Sequence, residues 1–236
     1  QEGSEFIQST DPLFRPVDMA TAPDGTLYIV DMYRGIIQEG EWTQDGSYLR
    51  TKIQQYQMDD IIGNGRIWRL SYDGMPRNTE KPRMYEESAK ELIRHLEHPN
   101  GWWRDMAQQT LILNQDKSIV PDLITMAESS PNELARIHAL WTLEGLGELK
   151  SDLVKKLLED PNPNIRIQGL RVAETLYKYG EKSLSEMYRT AAMDKNTDVA
   201  IQALLSAHVF KFDQVEILIK ETMEKNSSNT KTIQPF

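Results

Sequence analysis

A chain of 236 residues with 39 % hydrophobic content and a formal net charge of −9 suits a soluble globular protein of one large or two small domains. There is no cysteine, which excludes disulfides, thiolate metal sites, a cysteine nucleophile and covalent c-type haem attachment. Residues 1–80 carry 7 Lys/Arg against 13 Asp/Glu and residues 81–236 carry 20 against 23, so neither half offers the basic stripe that nucleic-acid binding requires.

The polar start Gln1-Glu2-Gly3-Ser4 is not a signal peptide, and no apolar run approaches the roughly 18 residues of a membrane span. Gln1 in place of Met reads as a start set by processing or proteolysis. Residues 16–21 and 26–32 read as two strands around the turn Ala22-Pro23-Asp24-Gly25. The nearly continuous apolar run Leu27–Met32 predicts a strand covered on both faces. Residues 48–61 read as a helix with Ile53, Tyr56 and Gln57 toward one face, and Gly65–Tyr72 alternates as a third strand. Three strands with an interrupting helix make about one propeller blade, whereas a closed propeller needs at least about four blades. Strands 16–21 and 65–72 are therefore expected to leave open edges, and residues 1–76 to depend on further blades or on another chain. Residues 77–85, with Pro76 and Pro82 nearby, read as a linker.

From Glu86 the text changes to a repeat. Trp102–Ala107, Leu134–Ala139, Asn164–Gly169 and Asp198–Ala203 align at intervals of 32, 30 and 34 residues. The first three carry an arginine (Arg104, Arg136, Arg166) three residues before a small residue (Ala107, Ala139, Gly169), while the fourth keeps only Ala203. A break rich in Pro, Asn or Asp precedes each segment, so one helix ends there and the next is capped. The preceding helices show apolar spacing at Leu92/Ile93/Leu96, Leu123/Ile124/Ala127, Val154/Leu157/Leu158 and Leu184/Met187/Ala191. A single helix pair cannot bury its apolar face, but a stack can. The pattern resembles HEAT-type repeats over residues 86–225, and residues 226–236 read as a polar tail. The arginines read either as an anion-binding row or, more simply, as partners of acids in the adjacent turn or repeat. Trp102, Trp103 and Trp141 fit the core or an interface better than a binding groove. His95, His98, His138 and His208 lack the i, i+4 spacing of metal ligands.

Three segments carry a family resemblance: Ser9–Asp18, Ala22–Gly35 and Gly63–Leu70. With His98–Asp105 and His138–Leu146, they resemble a bacterial propeller family of quinoprotein-type, membrane-bound sugar dehydrogenases. In some members HEAT-like repeats and then a c-type cytochrome domain follow the propeller. The resemblance implies that 1–76 corresponds to the closing blade. It implies that Arg15 faces a pyrroloquinoline quinone, with Asp18 and Asp31 orienting it. A guanidinium suits that task because it holds carboxylates or quinone oxygens bidentately. The other reading of Arg15 is an ion pair with Asp18 or Asp31 that braces the blade.

In that class the histidine base and the calcium ligands lie in earlier blades, and no C-x-x-C-H or calcium loop occurs here. The resemblance thus places quinone and calcium in a parent propeller and haem c in a downstream domain. It implies the remaining blades and a c-type cytochrome as partners, and a periplasmic or cell-envelope location. The expected protein is mainly α, an α-solenoid behind a partial propeller, and inactive alone as a dehydrogenase. The alternative is a non-catalytic interaction scaffold in which the β region caps the solenoid.

Overall fold

The computed structural model describes residues 5–37, 40–212 and 215–225; the polar tail and the first four residues lie outside these. The chain is mainly helical with one small antiparallel sheet, and it divides into two compact units, Gln1–Pro82 and Arg83–Phe236. The division falls inside the predicted linker.

The first unit holds strands β1 (Pro16–Thr21), β2 (Leu27–Asp31) and β3 (Arg66–Leu70), in the order β1-β2-β3, and helix α1 (Tyr48–Gln55). Asp24 closes the β1–β2 turn, its Oδ1 accepting from the Thr26 amide and hydroxyl at 3.0 and 2.6 Å. Gly25 supplies the positive φ of 86° that the turn needs. A register irregularity between Pro16 and Asp18 re-aims the start of the edge strand β1.

Helix α1 ends at Gln55 rather than at 61. Gln57 turns left-handed, and the Met58 and Gln57 amides return to the Ile53 and Gln54 carbonyls at 3.0 and 3.3 Å, a Schellman closure. The expectation that β2 is covered on both faces also fails within this chain. Ile29 and Asp31 are buried, but Tyr28 and Val30 are exposed, as is Ile67, the partner of Val30 on β3. Every residue of β1 is exposed. Only Ala22, Ile29 and Ile53 are buried apolar residues among those described in this unit, a small core for its length.

In the second unit Met84 is already part of the core, so the linker's last residues belong to the helices. Nine α-helices follow among the described residues: α2 (Ala89–His95), α3 (Gly101–Asn114), α4 (Val120–Ser129), α5 (Glu133–Gly145), α6 (Ser151–Leu158), α7 (Pro163–Lys178), α8 (Ser185–Ala192), α9 (Thr197–Val209) and α10 (Val215–Lys225). Each long helix packs on the one before it (α3 on α2, α5 on α4, α7 on α6, α9 on α8), and α3, α5, α7 and α9 pack on each other in succession. Asparagine caps all four of these longer helices: Asn100, Asn132, Asn162 and Asn196 accept from amides of the first turn.

The small residues Ala107, Ala139, Gly169 and Ala203 sit buried at the helix crossings. Along α8 and the turn before it Leu184, Tyr188 and Ala192 are fully buried, and Met187 and Ala191 of the expected stripe pack partly buried against the same core. Tyr188 goes inward because its hydroxyl finds the Leu170 carbonyl at 2.9 Å.

Two helical glycines should answer differently to alanine. A Cβ at Gly145 would meet Ile112 Cδ1, Cγ1 and Cγ2 at 2.5, 2.8 and 3.2 Å, so the whole side chain must move. Gly145→Ala is expected to cost about 1–3 kcal/mol. At Gly169 the nearest contact is 3.4 Å, ordinary van der Waals distance. Gly169→Ala is expected to stabilise by up to about 1 kcal/mol through helix propensity. Paired urea melts check both signs.

Candidate functional site

The antiparallel register sets Asp31, the last residue of β2, opposite Arg66 at the start of β3 and Pro16 at the start of β1. Its carboxylate is fully buried. Oδ1 accepts the amides of Arg15 and Tyr33 at 2.8 and 2.9 Å. Oδ2 accepts Nη2 and Nε of Arg66 at 3.0 and 3.3 Å and the Trp68 indole N–H at 3.0 Å. Burial alone would raise the Asp31 pKa; the Trp68 indole, the Arg15 and Tyr33 amides and the Arg66 guanidinium overcome this and lower it to about 2.

Arg66 also reaches Asp11 at 3.4 Å and lies over the rings of Tyr33 and Trp68, 3.6 and 4.7 Å from their centroids. Tyr33 holds a left-handed φ of 46° at this corner. Sequence reasoning missed Arg66 and Trp68. Their signal was the basic–aromatic alternation of Gly65–Leu70 facing an acid-terminated strand.

Arg15 sits at the same end of the sheet, with its carbonyl accepting the Met32 amide at 2.9 Å. Its guanidinium donates to the neighbouring Phe14 carbonyl at 2.9 Å, and among the described residues it pairs with no carboxylate. Asp31 therefore holds Arg15 by its amide, not by its side chain, and the ion pair with Arg66 takes the place expected for Arg15. Asp18 does not orient Arg15 either: it is exposed and accepts from the Met19 amide at 2.8 Å. Arg15 is half-buried, and the Phe14 carbonyl is the acceptor its guanidinium meets among the described residues.

Two clefts flank the sheet. One, of about 400 Å³, runs along Val30, Met32, Arg34, Ile62, Gly63 and Ile67; the other, of about 230 Å³, lies by Ile7, Phe14, Ile29, Trp68 and Leu70. Arg15 lines neither.

The repeat arginines of the helical unit are held internally. Arg166 grips Asp194 with Nε and Nη2 at 2.9 and 2.8 Å and donates to the Asp160 and Pro161 carbonyls. Arg136 pairs with Asp160 and donates to the Ala127 carbonyl. Among the described residues Arg104 meets the His98 and Pro99 carbonyls, and its buried Nε has no partner. The reason is legible: Ser130 stands where Asp160 and Asp194 stand, each accepting the amide two residues on. An anion-binding row is thus not present at Arg136 and Arg166. Trp103 is core, Trp102 packs against it, and Trp141 donates its indole N–H to Gln168 at 2.9 Å.

His95 meets Glu87 at 2.8 Å, His98 accepts the Asn100 amide, and His138 links α5 to α3 through Gln108 at 2.7 Å. Burial lowers the His138 pKa, nearby Asp105 raises it and Arg104 lowers it, with the net shift downward. A folded pKa below the ordinary 6.5 means that stability present above 6.5 is lost as pH falls through it. The fall in Tm between pH 7.5 and 5.5 should be smaller in His138→Gln than in the parent. Among the described residues no three His, Cys, Asp or Glu side chains gather as a metal site requires, and no helix is long and apolar enough to cross a membrane.

Fold and site define a mainly helical protein whose small sheet ends in a buried, charge-paired cluster. Residues 1–74 match the profile of a domain of unknown function, DUF7133. No curated protein matches the chain.

Proposed function

We propose that this chain is the C-terminal part of a quinone-dependent sugar or alcohol dehydrogenase. Residues 1–76 are the closing blade of its β-propeller, and α2–α10 form a HEAT-like α-solenoid that docks a protein partner or electron acceptor. The observation that carries this reading is the unfinished sheet. Its edge strand β1 is fully exposed, and its outer face carries Tyr28, Val30 and Ile67 uncovered. A sheet with apolar residues on both faces is suited to burial between neighbours, as a blade is between blades. The successive packing of α3, α5, α7 and α9 supports the solenoid, whose stack offers an extended binding surface.

In this reading Arg15 contributes one contact to a quinone carboxylate, and the chemistry belongs to the parent's other blades. The quinone and calcium sit in that parent, a c-type cytochrome is its acceptor, and the setting is the periplasm or cell envelope. The scaffold alternative expects Arg15 buried in an ion pair and the enzyme reading expects it in an open concavity; its guanidinium meets no carboxylate among the described residues and lines neither cleft, so Arg15 does not separate the two.

The test is the encoding frame together with the whole protein's activity. Further Pro-Asp-Gly blades upstream, C-x-x-C-H downstream and quinone-dependent dye reduction are the expected result. A frame ending at both of these termini overturns the dehydrogenase and leaves the interaction scaffold.

A further inference from the structure

The cleft along Val30, Met32, Ile62 and Ile67 is also lined by one carboxylate, Asp31, and two arginines, Arg34 and Arg66. Acids outnumber bases 13 to 7 over residues 1–80, and of the cleft's two arginines Arg66 is satisfied by Asp31 and Asp11. Arg34 is half-buried in the same wall and has no partner among the described residues. A cation drawn partly out of water beside apolar side chains raises the free energy unless an anion joins it. Gly63 and Gly65 line the same cleft, and their amides donate to no group among the described residues. Gly63 holds a φ of 74°, so this wall has no bulky side chain at that point.

We infer that this cleft binds a small organic anion, a carboxylate with an apolar body. The carboxylate pairs with Arg34 and the loop amides, and the body lies on Val30, Ile62 and Ile67. A guanidinium takes a carboxylate bidentately, which orients the ligand along the apolar wall. The volume of about 400 Å³ falls within the usual range for small-molecule sites. The inference uses Arg34 and not Arg15, but it needs Val30 and Ile67 open, so it holds only where no neighbouring blade covers that face.

Titrating the full chain with hexanoate, hexanol and inorganic phosphate, followed by amide NMR shifts, tests it. Hexanoate should shift Gly63 and Gly65 saturably, with hexanol and phosphate each at least about tenfold weaker. Arg34→Gln should weaken hexanoate by about tenfold or more while Arg34→Lys keeps part of the affinity. Ile62→Ser should weaken hexanoate but leave phosphate unchanged. Phosphate or hexanol matching hexanoate, no saturable shift, or unchanged hexanoate binding in a folded Arg34→Gln protein overturns it.

Discussion

Replacing Asp31 by alanine should unfold the sheet end first and cost about 2–4 kcal/mol. The substitution strips partners from the Arg66 guanidinium, the Trp68 indole and the amides of Arg15 and Tyr33 together. Hydrogen exchange along β2 and β3 reads the effect directly, and the helical unit should keep its protection because its core is separate. Asp31→Asn keeps the shape with weaker acceptors and should cost less. The pH dependence separates the two effects. Because the folded pKa is lowered to about 2 from 3.8, the carboxylate's contribution is complete above 3.8 and is lost as pH falls toward 2. The parent sheet should therefore lose protection over that window, and Asp31→Asn should lose the dependence. A sheet as protected in Asp31→Ala as in the parent would show that the cluster contributes little.

The second large effect lies in the helical unit, where three arginines in equivalent places should rank in order. Arg166→Ala removes a bidentate pair with Asp194 and two carbonyl contacts, with both side chains largely buried. Breaking such a pair leaves a carboxylate unpaired, and some remaining exposure of Asp194 moderates the cost to about 2–4 kcal/mol. Arg136→Ala should cost less, about 1–3 kcal/mol, since it gives up one guanidinium–carboxylate pair and one carbonyl. Arg104→Ala should cost under about 1 kcal/mol, because it frees no acid and removes a buried unsatisfied Nε. Chemical denaturation of the three variants gives the order. Arg104 equal to Arg166 would mean that packing of the aliphatic stem, not the ion pair, sets the energy.

The helical unit was legible because its causes are local. A 3.6-residue period, an asparagine before each long helix and a small residue at each crossing all lie within a dozen positions, and each repeat restates them. What the spacing left out in α8 was Tyr188, which joins the core where the Leu170 carbonyl accepts its hydroxyl.

In the sheet the strand positions were readable, since Asp24-Gly25 marks the turn and the alternation of Gly65–Leu70 marks β3. Which residue meets which was not. Asp31 and Arg66 lie 35 positions apart and meet only through the antiparallel register, so the acid expected beside the Arg15 side chain pairs with Arg66 instead. In the cleft beside them Asp31 is taken by Arg66, and Arg34 makes no ion pair among the described residues. The amino-acid sequence by itself determined the elements, the repeat and the caps, because these follow from backbone geometry within a few turns. The tertiary structure alone decided the charge pairing and the open face of the sheet, because both depend on contacts between segments far apart along the chain.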